Sequence, residues 1–193
     1  MIVVSDFGLL SIVLKGTSSS KATIRYGCGS VLVDLSEKHP DNLYPYWDSF
    51  VGLLSSKYRI LTWNAMVIIA NLTTVDVEHK FDEVFNKYYS YLGSDYMVTV
   101  SNVVVNSAKI VSNKPYLANR IAAELLKVES LKVTPHLTEE CKLVIAEQAI
   151  KTFDTFLSNV DAKEPFVAFA QKHVNGSRFA LRQIAQKFVK KWL

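Results

Sequence analysis

The sequence has few of the cysteines that small secreted and metal-binding proteins depend on. Only two, Cys28 and Cys141, occur among 193 residues, and neither has a second cysteine within four positions. This spacing does not indicate a zinc site or a redox-active pair. Two separated cysteines in a chain of this size favour reduced thiols and predict a cytoplasmic protein.

Long apolar runs and extreme charge are also absent. No stretch reaches the ~18 uninterrupted apolar residues that a transmembrane helix needs. Apolar residues make up 49% of the chain and charged residues 21%, with a net charge of +4. This composition is typical of a globular protein and excludes intrinsic disorder. The length predicts a single domain over residues 1–193.

Apolar residues recur at spacings of three and four, which predicts amphipathic helices arranged in pairs. The second helix of three successive pairs carries a similar stripe: Leu43, Trp47, Phe50 and Leu54; Phe81, Phe85, Tyr88 and Leu92; and Leu117, Ile121, Leu125 and Val128. The stripes begin 38 and 36 residues apart. That period predicts an internal repeat of helical hairpins.

The first helices of these pairs are less regular. The predicted apolar faces are Ile24, Cys28, Val31 and Leu35 in one helix and Ile60, Trp63, Val67 and Ala70 in the next. Gly27 and Gly29 interrupt the first of them and indicate the close approach of another helix. Residues 96–111 are rich in Val and Thr, which is typical of a strand. Their apolar spacing nevertheless predicts a helix.

The repeat is interrupted by an irregular linker at residues 129–139, which contains Pro135. A fourth pair follows, and then a terminal capping helix over residues 177–193 with one apolar and one charged face. At the other end of the chain, residues 7–14 could be the second helix of a partial first pair. The remainder of residues 1–20 has no clear pattern beyond a serine-rich loop.

Two segments have the order typical of a HEAT repeat: KATIRYGCGSVLVDLSEKHPDNLYPYWDSFVGLL and YMVTVSNVVVNSAKIVSNKPYLANRIAAELLKVE. Each has small residues in its first helix, a Pro or Asp in the turn, and a second helix with a regular apolar stripe. Over residues 21–193 the chain resembles HEAT-repeat proteins, and is most similar to small, uncharacterised prokaryotic ones. The resemblance implies an all-α fold: a right-handed α-α superhelix, or solenoid, of about five helical pairs, the first and last partial. Its second helices would line a concave face that such proteins often use to bind other proteins.

No catalytic motif accompanies the helices. The four histidines are scattered, and residues 16–21 lack the second glycine and the preceding strand of a phosphate-binding loop. We therefore expect no enzyme activity, metal or cofactor, and predict a scaffold that binds another protein. Its candidate binding residues lie beside the core stripes of the second helices, where Tyr and Arg are typical of binding hot spots: Tyr44, Lys87, Tyr89, Tyr91, Arg120, Lys127 and Lys172. A solvated helix face is the alternative interpretation of these residues.

The basic residues are concentrated at the end of the chain. Residues 165–193 contain six Lys and Arg side chains and no Asp or Glu. Four of them, Arg178, Arg182, Lys187 and Lys191, share one face of the last helix and are candidates for binding an anionic partner. The alternative is a capping helix whose cations complement the helix dipole.

Two further functions are compatible with these features. The chain could bind nucleic acid, resembling the HEAT-like alkylpurine DNA glycosylases, although no segment matches their catalytic motif. It could also contact a membrane surface peripherally through the basic helix, with Phe188 and Trp192 on its apolar side.

Overall fold

The computed structural model describes residues 7–193, and most of these residues are helical. The α-helices are α1 (Leu10–Gly16), α2 (Ala22–Lys38), α3 (Pro40–Leu43), α4 (Trp47–Leu54), α5 (Arg59–Leu72), α6 (Lys80–Ser90), α7 (Met97–Asn113), α8 (Ala118–Leu125), α9 (Glu139–Phe156), α10 (Glu164–Gln171) and α11 (Phe179–Trp192). Short 3-10 turns lie at Phe7–Leu9, Tyr44–Tyr46, Tyr91–Gly93, Pro115–Leu117, Leu126–Ser130 and Leu157–Asn159. Within residues 7–193 there is no β-strand, only an isolated bridge between Thr134 and Leu137. The prediction of an all-α fold is confirmed.

The Val-rich segment of α7 is helical, as its apolar spacing predicted. Val100, Val103 and Val104 are buried on one side of the helix, together with Ile110 and Val111 further along. Burial of this face outweighs the preference of β-branched residues for strands, because helix propensity differs by less than about 1 kcal/mol per residue.

The chain divides into two compact units, Met1–Tyr88 and Tyr89–Leu193. In the first unit α2 packs against α1 and α5, and α4 packs against α5. The residues of α2 and α5 that contact each other follow the same order along both helices. Arg25 lies against Tyr58, Gly29 against Leu61 and Asn64, and Ser36 accepts a hydrogen bond of 2.8 Å from Asn71. The two helices are therefore parallel, and contacting residues are 32 to 35 positions apart.

In the second unit α9 packs against α7 and α11, and α10 packs against α11. The contacting residues of α9 and α11 also follow the same order along both helices. Glu147 pairs with Arg178 near the start of α11, and Asp154 pairs with Lys191 near its end. Each unit thus contains parallel helices drawn from successive predicted pairs. This arrangement is consistent with a helical repeat.

The second-helix stripes form the core as predicted. All twelve residues of the three matching stripes are 6% exposed or less. The predicted faces of the first helices are shifted. Leu35 and Ala70 are buried as predicted, but Ile24 and Ile60 are 46% and 40% exposed. The helix α2 also buries Arg25, Gly29, Leu32 and Ser36, which were not on the predicted face. The reason is that α2 contacts neighbours on two sides, so no single apolar stripe describes its buried surface.

The two glycines of α2 have different surroundings. Gly29 is buried, and a Cβ atom there would lie 2.4 Å from the side-chain nitrogen of Asn64. Gly27 is exposed and a Cβ atom would contact nothing within 4 Å. The predicted close approach of a second helix is confirmed for Gly29 and is wrong for Gly27.

Residues 129–139 connect α8 to α9 through the 3-10 turn that ends at Ser130 and a tight turn held by the Thr134–Leu137 bridge. Thr134 also donates its hydroxyl to the carbonyl oxygen of Asp95 at 2.8 Å. The Tyr96 and His136 rings stack with centroids 4.5 Å apart. The segment is therefore fixed against the start of α7 by specific contacts.

Candidate functional site

Two of the predicted binding residues lie in the first unit. Tyr44 is half-buried, and its hydroxyl donates a 2.7 Å hydrogen bond to Asp76. Burial, then the hydrogen bond and the negative charge of Asp76, raise the pKa of Tyr44. Lys87 is exposed, and its Nζ donates to the carbonyl oxygen of Val51 at 3.2 Å. Tyr44 is therefore fixed in the structure of the unit, whereas the Lys87 side chain lies at the surface.

Tyr89 does not lie on an accessible face, which corrects its placement at a binding surface. Its side chain is 2% exposed. Its hydroxyl lies 3.0 Å from the Ser107 hydroxyl, which itself donates to the carbonyl of Val103. Burial raises the pKa of Tyr89. The physical reason is that a buried tyrosine hydroxyl needs a partner, and Ser107 supplies one inside the unit.

The other four candidates also belong to the second unit, and at least two of them are paired. Lys127 contacts Glu124 at 2.7 Å, and Lys172 forms an ion pair with Glu129. Tyr91 is half-buried in its 3-10 turn, whereas Arg120 is exposed on α8. Whether any of these residues binds a partner stays a prediction.

Sequence reasoning missed an exposed aromatic residue next to Arg120. Tyr116 is 54% exposed and lies one helical turn before Arg120. With Ala123 and Lys127, which are exposed as well, these two residues follow one stripe at spacings of four, three and four. We call these four residues the Tyr116 stripe. The stripe could have been predicted from the sequence, because Tyr116 is an aromatic residue at helical spacing from the predicted residues Arg120 and Lys127.

The basic residues of α11 are partly neutralised within the second unit. Arg178 pairs with Glu140 and with Glu147, whose Oε2 lies 3.1 Å from its Nε. Lys191 lies 2.7 Å from Asp154, which also accepts the Trp192 indole N–H at 2.6 Å. Glu140, Glu147 and Asp154 follow one another at seven-residue spacing, so they occupy one face of α9. We call this set of contacts the α9–α11 ion-pair seam.

The other two candidates of this basic set are placed differently. Arg182 donates to the carbonyl oxygen of Gly176 at 2.9 Å. Lys187 is exposed and, with Gln183, Gln186 and Lys190, lines a shallow open depression of about 220 Å³. Whether Arg178, Arg182, Lys187 and Lys191 bind an anionic partner stays a prediction.

A second basic region, in the first unit, was not predicted. Residues 7–33 and 49–75 contain no acidic residue, but include Lys15, Lys21, Arg25, Lys57 and Arg59. Arg25 is only 5% exposed, and its guanidinium lies 3.7 Å from the ring centroid of Tyr58 and 4.7 Å from that of Tyr26. Its Nη1 donates to the carbonyl oxygens of Ser19 and Ser20 at 2.7 and 3.3 Å. We call Arg25, Tyr26, Tyr58 and the preceding lysines Lys21 and Lys57 the Arg25 cluster.

The Arg25 cluster joins the starts of two helices, since Arg25 lies in the first turn of α2 and Tyr58 is the N-cap residue of α5. The sequence feature that could have predicted this basic region is the pair of segments that contain no Asp or Glu.

Groups of three or more His, Cys, Asp or Glu side chains that could hold a metal ion do not occur within residues 7–193. Over the same residues, no helix combines the length and apolar character needed to span a membrane. Both cysteines are free thiols and half-buried, and Cys28 lies close against Gly16.

No protein-family model matches this chain, and comparison with curated proteins finds no match. The HEAT resemblance therefore rests on the quoted segments.

Proposed function

We propose that this chain is a non-enzymatic, HEAT-like helical scaffold that binds another protein through the Tyr116 stripe. The proposal rests on one observation: a large aromatic side chain, more than half exposed, lies one turn from an exposed arginine on the outer side of an amphipathic helix. Tyrosine and arginine are enriched at the energetic centres of protein interfaces.

The burial pattern of α8 supports this choice. Ile121, Ala122 and Leu125 are completely buried, so the helix is held firmly from its inner side. The residues of the Tyr116 stripe are exposed, and Lys127 among them is paired with Glu124 of the same segment at 2.7 Å. A well-packed helix that presents Arg120, with Tyr116 in the 3-10 turn directly before it, loses little conformational entropy when it binds.

The two alternative functions depend on residues with other partners. Phe188 is buried, and the Trp192 indole N–H donates a hydrogen bond to Asp154. In this conformation of the helix, neither side chain is available for membrane contact. Arg178 and Lys191 are paired with carboxylates of α9, which reduces their support for nucleic-acid binding. We therefore propose neither function. The superhelix and a cytoplasmic location stay predictions.

The experiment compares proteins captured by cross-linking to the wild type and to a Tyr116→Ala/Arg120→Ala variant. We expect a defined set of partners to be recovered with the wild type and lost with the variant. Lys187→Ala/Lys190→Ala is the matched control, because it removes two exposed residues of the same unit away from α8. Thermal unfolding of each variant checks that the fold is retained. Equal recovery with all three proteins would overturn the proposal.

A further inference from the structure

We draw no further inference here: the strongest candidate, the outer face of α11 with the exposed side chains of Phe179, Lys187 and Lys190, is a surface patch on one helix, and nothing in the structure shows what covers it.

Discussion

The hydroxyl of Tyr44 donates a 2.7 Å hydrogen bond to Oδ1 of Asp76, across 32 positions of the sequence. Asp76 is 5% exposed and also accepts the backbone N–H groups of Lys80 and Phe81 at 2.9 and 3.0 Å. One carboxylate thus caps the start of α6 and fixes the 3-10 turn that leads into α4. The finding explains why a half-buried tyrosine stands where a surface residue was expected.

Replacement of Asp76 should destabilise the protein more than replacement of Tyr44. Asp76→Ala removes a helix cap and leaves the Tyr44 hydroxyl without its acceptor, so we expect a loss of about 2 kcal/mol in the free energy of unfolding. Tyr44→Phe removes one hydrogen bond and should cost about 1 kcal/mol. Urea unfolding measures both values. Glu83→Gln, an exposed change in the first turn of α6, serves as the control and should cost less than Asp76→Ala.

The two glycines of α2 offer a matched pair of substitutions. Gly27→Ala adds a methyl group in open space, and the gain in helix propensity should stabilise the protein by about 0.5–1 kcal/mol. Gly29→Ala has the same propensity gain, but its Cβ would lie 2.4 Å from Asn64 and 3.0 Å from Leu61. We therefore expect the second variant to be less stable than the wild type. The measurement is the melting temperature of each variant. A melting temperature of Gly29→Ala above that of the wild type would contradict the close packing of α2 on α5.

The sequence predicted the second-helix stripes because each of these helices buries one regular apolar face. Phe50, Phe85 and Ile121 recur where a period of 3.6 residues requires them, and all three are buried. The face of α2 could not be predicted in this way. Its buried side includes Arg25 and Gly29, which hydrophobic periodicity does not select, because their burial depends on α5 more than thirty positions away.

The candidate site was predictable only in part, for the same reason. Arg120 was identified correctly as a surface residue, whereas Tyr89 was misplaced because its partner Ser107 lies 18 positions away on another helix. The acid-free segments around Arg25 could be seen in the sequence. That Arg25 lies against Tyr58 could not, because this contact depends on how α2 packs against α5. Charge composition locates a basic region, but tertiary packing decides which cations are paired.

The α9–α11 ion-pair seam predicts how stability changes at acidic pH. Burial by itself would raise the pKa of Glu147, but hydrogen bonds from Lys151 and Arg178 outweigh it, and the pKa is lowered. A carboxyl whose pKa is lower in the folded state stabilises the protein above its unfolded pKa of about 4.3. That contribution is lost as the pH falls below this value, because the unfolded state then binds the proton more readily than the folded state.

Glu147→Gln should therefore be less stable than the wild type by about 1 kcal/mol at pH 7, where it removes charge-assisted hydrogen bonds that are partly exposed. The difference should shrink as the pH falls below the unfolded pKa of about 4.3 and Glu147 of the folded wild type is protonated in turn. Urea unfolding from pH 7 to pH 3 provides the measurement. Glu139→Gln changes a carboxyl that is 75% exposed on the same helix, and its effect should be smaller at pH 7. A stability difference for Glu147→Gln that stays constant from pH 7 to pH 3 would show that Glu147 acts through packing rather than through its charge.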